Sequence, residues 1–362
     1  MSVSPLAYLR GAAPLFYKLL ADHPELAEGP PGEGWLCGDA HLENFGAFRT
    51  EGGKSTTRSR EDVVFDLNDF DEAIVGPWRV DVLRVVTSLI LGGRELGASG
   101  RRSIALSNVL LESYVGHACR LRTLPPAPAP VVALLEKVRK RSHRALLAGR
   151  TEIVGGRRRF VRGERYADLP EGWVRPARAA FDRYVRRFGS GAAVDHFRVL
   201  DAAFRIAGTG SLGGMRVAIL TRGKGGRDGA WLFDMKEART PAAAMWLGET
   251  RVKKAKRVLT ATRACLAHPP RMIGTTKLEG LSMFVRRLAP QEDKLSLERL
   301  HDEHLEGVAS YLGALLGRAH RRAALRAPRK PWSKDELNAL VERAIVVAGL
   351  HEGAYLTMCR RS

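Results

Sequence analysis

The 362-residue chain is poor in cysteine, in lysine and in unbroken apolar sequence, and each shortage excludes a class of protein. Its four cysteines, Cys37, Cys119, Cys265 and Cys359, stand far apart with no CxxC pair. That spacing argues against a zinc site or a disulfide framework and for reduced thiols in a cytoplasmic protein. The apolar stretch over 80–91 is interrupted by Asp81 and Arg84, so no membrane-spanning helix is expected. Arg10 likewise cuts the N-terminal apolar segment, and no secretory leader is expected. No GxSxG elbow is present, which removes the usual signature of a Ser-His-Asp hydrolase. What remains, 45% hydrophobic and 27% charged residues with 18 prolines, is globular composition with room for about two domains.

Acidic residues are also in the minority. Against 39 of them stand 46 arginines and 13 lysines, a net charge of +20. A basic stripe or tail would suggest a nucleic-acid partner. Here the arginines are spread over most of the chain, and the local basic runs at 155–165 and 251–257 hold one aromatic residue, Phe160. Interleaved aromatics are what single-strand binding requires, so the pattern argues against nucleic acid, although the charge alone leaves it open. A positive field that draws in polyanions such as ATP accounts for the charge equally well.

The acids that do occur are concentrated. Gly38-Asp39-Ala40-His41-Leu42-Glu43-Asn44-Phe45-Gly46 sets an Asp and an Asn five positions apart in a glycine-bounded loop. Such a carboxylate can take a proton from an attacking hydroxyl while the amide oxygen holds a divalent metal. In isolation the same pair would only satisfy turn backbone groups. A second cluster follows, Phe65-Asp66-Leu67-Asn68-Asp69-Phe70-Asp71-Glu72, at the end of an apolar strand. Crowded carboxylates repel unless a cation or arginine neutralises them, and Mg²⁺ is the natural hard partner. Arg10 and Arg84 are the nearest candidates for that role.

A third constellation lies far along the chain. Gly208-Thr209-Gly210-Ser211-Leu212-Gly213 runs into an apolar strand over 215–220, then a glycine-rich turn over 222–229 and a second strand over 230–235. A dinucleotide fingerprint would open a helix there, so that fold is excluded. A glycine loop between two strands, with a lysine on the next strand, instead suits folding over nucleotide phosphates. Lys236 is that lysine. The remaining chain reads as helices over 1–30, from about 80 to 120, 241–267, 304–322 and 334–348, with one more strand over 281–288. Residues 124–131 form a linker, and 131–195 reads as basic helices in an inserted segment. The class is α+β.

The motifs GDAHLENFG and FDLNDFDEAIVGPWRVD, with GTGSLGG…KEA, resemble the uncharacterised bacterial family called domain of unknown function 2252. The loop Gly38-Asp39-x-His41-x-x-Asn44 is also similar to the catalytic loop of aminoglycoside and choline kinases, with Cys37 where those enzymes have a first histidine. Their metal-binding Asp is followed twelve positions later by a structural Asp opening a helix. Asp69 and Asp81 keep that interval, which selects Asp69 over Asp66 and Asp71, with Asp66 still open as a ligand.

The resemblance implies a protein-kinase-like, two-lobed fold in circularly permuted order. Residues 1–123 would carry the catalytic loop and metal site, and 124–198 the linker and helical insertion. The small nucleotide lobe would span 199–290, with 291–362 completing the large lobe. It further implies ATP and Mg²⁺ as cofactors and transfer of a phosphoryl group to a hydroxyl acceptor. Asp39 would be the base, and Asn44 and Asp69 the metal ligands. Gly208, Gly210, Ser211 and Gly213 would cap the phosphates, and Lys236 would bind them with Glu249 as its helix partner. Backbone groups over 285–288, Arg286 and Leu288 included, would meet the adenine. An inactive nucleotide-binding module and a nucleotidyl transferase remain the alternatives.

Overall fold

A computed structural model describes residues 4–50, 63–120, 122–206, 213–224, 226, 229–249 and 251–360. It is an α+β arrangement in which a helical body carries two small sheets and a larger sheet stands against it. Among the described residues no helix is long and apolar enough to cross a membrane.

The helical body begins with two helices, Pro5–Gly11 and Ala13–Asp22, where one segment over 1–30 was expected. Ser4 caps the first by accepting from the Ala7 N–H at 3.1 Å, and Pro14 sits in the first turn of the second. Proline favours a helix start over a helix interior, which explains the break. Trp78–Glu95 is buried around most of its surface and runs through the centre of this core. Gly100–Ala118 and Asp302–Arg322 pack along each other. A Cβ at Gly313 would collide with the Leu110 carbonyl, so glycine permits that approach. Lys334–Cys359 closes the body and starts from a capping box made by Ser333 and Glu336.

Two three-stranded sheets line the body. Glu33–Leu36 pairs with Ile74–Pro77 and Ala324–Arg326, and Phe45–Arg49 pairs with Val63–Leu67 and Asp293–Lys294. The first two partners deliver the loop containing Asp39. The second pair delivers the acidic loop, since Phe45 lies opposite Leu67.

The larger sheet has six antiparallel strands in the order 273–278, 281–288, 231–237, 216–221, 199–205, 166–167. Arg216–Thr221 and Trp231–Glu237 are neighbours, with Trp231 opposite Thr221 and Lys236 opposite Arg216, as the strand–turn–strand pattern requires. Val199–Arg205 pairs with Arg216–Thr221, so the glycine-rich segment joins two adjacent strands. The sheet is wider than the expected 199–290 unit and has helices on it from two places, Val174–Val185 and Lys254–Cys265.

Two further expectations are corrected. The single helix over 241–267 is divided into Ala244–Leu247 and Lys254–Cys265. Gly248 between them has φ +74°, a left-handed conformation that ends a helix. The insertion is not wholly helical: Thr151–Val154 and Arg157–Phe160 form a hairpin, and Tyr166–Ala167 joins the large sheet.

Candidate functional site

The loop 37–44 is held from beneath by a buried carboxylate. Asp81, in the first turn of Trp78–Glu95, accepts from the Cys37 N–H at 2.8 Å and the Gly38 N–H at 3.1 Å. His320 Nε2 lies 3.2 Å from the same carboxylate, and its Nδ1 is 2.8 Å from the Tyr114 hydroxyl. The ring thus bridges the Asp81 carboxylate and the Tyr114 hydroxyl. Gly38 has φ +79°, and a Cβ there would strike the Glu72 carbonyl. The loop is thus seated directly against the acidic turn.

Asp39 projects from this seat with about a fifth of its side chain exposed. Arg84 grips it, its Nε donating at 2.6 Å and its Nη2 forming a second contact. Arg84 is fully buried, donates to the Leu9 carbonyl at 3.0 Å and lies 4.8 Å over the Phe16 ring. Burial outweighs the guanidinium and lifts the Asp39 carboxyl above its ordinary value. His41 Nε2 stands 3.8 Å from Asp39, and its Nδ1 accepts from the Glu43 N–H at 3.2 Å. Burial and the Arg84 charge push this imidazole well below its usual range, so it is neutral. Arg10, the other cation named from sequence, is engaged by Glu43 instead.

Asn44 is 2% exposed and spends both amide hydrogens on the two loops, donating to the Asp39 carbonyl at 3.0 Å and the Asp69 carbonyl at 3.2 Å. Its Oδ1 is buried and has no hydrogen-bond partner. An unpaired buried oxygen is costly and points to a missing donor or cation. Asp69 lies beside it. One Asp69 oxygen accepts from the Asp71 N–H at 3.1 Å. Burial opposes its charge, but Lys236, that N–H, Lys294 and Arg286 outweigh it and hold the carboxyl below its ordinary value.

Lys236 reaches this turn from the large sheet, 165 positions away, and ion-pairs with Asp71. Burial disfavours its ammonium, yet Asp71 and Asp69 raise its pKa. Asp71 is itself pushed up by burial and by Asp69, despite Lys236. Asp39, Asn44, Asp69 and Lys236 are therefore brought to adjoining loops and a facing strand, with Asp71 as the direct lysine partner.

Other expected residues lie elsewhere. Asp66, within the strand Val63–Leu67, lies 3.7 Å from Arg322 on the helix Asp302–Arg322, and burial raises its carboxyl to about 6. Glu249 is at the surface, paired with Lys253 one turn on, and does not meet Lys236. Leu288 is buried in a cluster with Leu147, Phe160, Tyr166 and Leu232. Val285 and Arg286 are flanked on both sides by paired strands, which occupies their backbone groups. Arg286 itself sits 3.8 Å from Asp234 and 3.3 Å from Glu292. Gly208, Gly210 and Ser211 lie outside the described residues, while Gly213 has φ +77° and its carbonyl accepts from Arg239.

Two contributors escaped the sequence reading. Arg257, buried on Lys254–Cys265, donates to the carbonyls of Asp71 (2.8 Å), Ala73 and Arg239 (2.9 Å) and props the acidic turn. It falls in the basic run 251–257, where only the helical phase of Ala255, Val258 and Ala261 marks it as inward-facing. The second is a carboxylate, Asp234, ringed by Arg205 at 2.7 Å, Arg216 at 2.6 Å and Arg286. Two surface hollows, one lined by Asp182, Val194 and Phe197 and one by Lys253, Lys256 and Ser282, contain none of these groups. Among the described residues no three His, Cys, Asp or Glu side chains converge as a self-sufficient metal site.

The family model described as "Uncharacterized protein conserved in bacteria (DUF2252)" matches residues 1–353. No curated protein and no solved structure matches the chain.

Proposed function

We propose, for a chain that belongs to this bacterial family, that it is a phosphotransferase moving the γ-phosphoryl group of a Mg²⁺-bound nucleoside triphosphate to a hydroxyl acceptor. One observation carries the reading. Lys236 is delivered by a distant sheet to the Asp69–Asp71 turn, beside Asn44 with its unpaired buried oxygen. A lysine, a low-pKa carboxylate and an amide oxygen are the parts that hold a phosphate chain and a hard cation. The antiparallel strand, glycine segment, strand and lysine strand support the same reading, as does the two-lobe permuted arrangement suggested by motif order.

Asn44 and Asp69 fit Mg²⁺ as oxygen donors, and a bound cation there would neutralise charge building on the phosphates. The protein's own steps follow from its geometry. Lys236 exchanges Asp71 for phosphate oxygens. Asp39 orients the acceptor hydroxyl and takes its proton as the oxygen–phosphorus bond forms. The bond from the γ-phosphorus to its bridging oxygen breaks, and the nucleoside diphosphate leaves with that electron pair. Arg84 holds the Asp39 carboxylate in place, and neutral His41 leaves it free of competing charge.

A second reading has one observation in its favour. The Arg84 guanidinium occupies Asp39 oxygens that a base would turn to an acceptor hydroxyl, which suits a nucleotide-binding module without turnover. Incubation with Mg²⁺ and either γ-labelled or α-labelled ATP, with water and the protein itself as acceptors, separates the possibilities. Transfer of the γ-label alone is expected. Transfer of the α-label would make it a nucleotidyl transferase, and binding with no transfer an inactive module.

A further inference from the structure

The inner face of the six-stranded sheet, the face carrying Lys236, is divided into two halves. In the first half Ala218, Leu220, Leu232 and Leu288 are buried under Leu147, Phe160 and Tyr166 from the insertion. The Phe160 and Tyr166 rings stack with centroids 4.4 Å apart, and His143 Nε2 reaches the Ala230 carbonyl at 2.6 Å. This is a packed core with the segment over 143–166 serving as its lid. A nucleobase needs an apolar slot of this kind, together with free backbone donors and acceptors on a neighbouring strand. The chain's own side chains fill the slot, residues 283–286 of Leu281–Leu288 are paired on both edges, and the Arg287 N–H is taken by the Met272 carbonyl at 3.3 Å.

The second half is charged. Asp234 lies two positions before Lys236 on the same face, with Arg286 opposite it on one neighbouring strand and Ala218 on the other. Arg216 reaches it with Nε at 2.9 Å and Nη2 at 2.6 Å. Arg205 reaches it at 2.7 Å and Arg286 at 3.8 Å. Three guanidinium groups thus share one buried carboxylate, and each has five N–H donors. Planar guanidinium forks match phosphate oxygens bidentately, and a carboxylate between them fixes their direction beforehand.

We propose that the site recognises its donor by the triphosphate and not by the base. The ligand class is a Mg²⁺-bound triphosphate with any base or none, held between Lys236 and the Arg205–Arg216–Arg286 ring, with the base directed away from the filled slot. This rests on the phosphotransferase reading and adds its donor specificity.

The test is titration calorimetry on the full chain with Mg²⁺ and, in turn, ATP, GTP, UTP, inorganic triphosphate and adenosine. The four triphosphates should bind within about fivefold of one another, and adenosine should give no heat at millimolar concentration. Arg286→Ala should weaken all four alike, by about tenfold or more, with an unchanged melting temperature as the folding check. The comparison among ligands on the unaltered protein needs no variant. ATP binding more than about thirtyfold tighter than inorganic triphosphate, or binding of adenosine, would overturn base-independent recognition. If ATP binds selectively and its γ-label is still transferred, only this inference falls. If no triphosphate binds, the phosphotransferase reading falls with it.

Discussion

Replacing Asp81 with alanine removes the acceptor on which the loop 37–44 rests. Three donors lose their partner: the Cys37 N–H at 2.8 Å, the Gly38 N–H at 3.1 Å and His320 Nε2 at 3.2 Å. All three sit in the buried core, so water cannot readily replace the lost oxygens. At roughly 1–3 kcal/mol per unsatisfied buried group, less what relaxation recovers, the loss is about 3–5 kcal/mol. At about 2.1 cal/mol/K of unfolding entropy per residue, a chain of this length shifts its melting temperature by about 1.3 °C per kcal/mol, so calorimetry should read a drop of about 4–7 °C. Hydrogen exchange of the peptide carrying Cys37 and Gly38 should accelerate far more than exchange in the helix Asp302–Arg322. Asp81→Asn keeps one carbonyl oxygen but points an NH₂ at the remaining donors, and an intermediate loss is expected. γ-Label transfer should fall with both variants, because Asp39 directly follows Gly38, the nearer of the two anchored residues. A shift below about 2 °C with unchanged exchange at Cys37 and Gly38 would refute the claim that Asp81 seats the loop 37–44.

Asp66 carries a raised carboxyl, near 6 in the fold against a model-compound value of 3.8. The folded state holds that proton more tightly, so this contribution is full below about pH 4 and is lost as pH rises through 6. Asp66→Asn should therefore stabilise at pH 7.5 by up to about 2–3 kcal/mol and change little at pH 4; equal effects at both pH values would contradict it. Asp39→Asn should abolish γ-label transfer while nucleotide affinity stays within about threefold, since a base acts in the transition state. Lys236→Ala should weaken both binding and transfer, and calorimetry showing unchanged ATP affinity would count against its phosphate role. Glu249→Ala should leave melting temperature and transfer unchanged, because an exposed ion pair one turn apart contributes little. A duplex oligonucleotide should dissociate between about 50 and 200 mM salt, and a sequence-selective complex surviving that range would reverse the reading of the charge.

Much of this site was legible because its parts are local. The Asp39–Asn44 loop, the Asp69–Asp81 interval and the strand–glycine–strand pattern before Lys236 are short-range features, and hydrogen bonding with alternation makes them readable from residue order. The antiparallel pairing of Arg216–Thr221 with Trp231–Glu237 follows from a turn of the right length. What was missed depends on register between distant segments. The Arg205, Arg216 and Arg286 side chains meet Asp234 only because their strands stand side by side in one sheet, and nothing in the local sequence of any of them signals it. Lys236 meets the acidic turn at Asp71, two residues from the Asp69 that the twelve-residue interval selects, because both acids occupy one tight turn. Glu249 was placed on a helix that Gly248 interrupts, and the inward-facing cation of the next helix proved to be Arg257. The covering of the Leu288 side chain was hidden for a similar reason. Its covering residues come from the insertion, whose hairpin and sheet strand were hidden in an arginine-rich stretch that reads as a solvated helix face.

Mn²⁺ in place of Mg²⁺ gives the most direct reading of whether Asn44, Asp69 and Lys236 form one phosphate–metal site. Electron paramagnetic resonance of Mn²⁺ titrated with ADP and the protein measures the ternary complex without requiring turnover. The unaltered chain should immobilise Mn²⁺ only when ADP is present. Asn44→Ala, Asp69→Asn and Lys236→Ala should each weaken that complex by about tenfold or more, and Asp66→Asn should leave it unchanged. Loss of the complex in Asp66→Asn with retention in Asp69→Asn, or no ADP-dependent Mn²⁺ signal at all, would contradict the site.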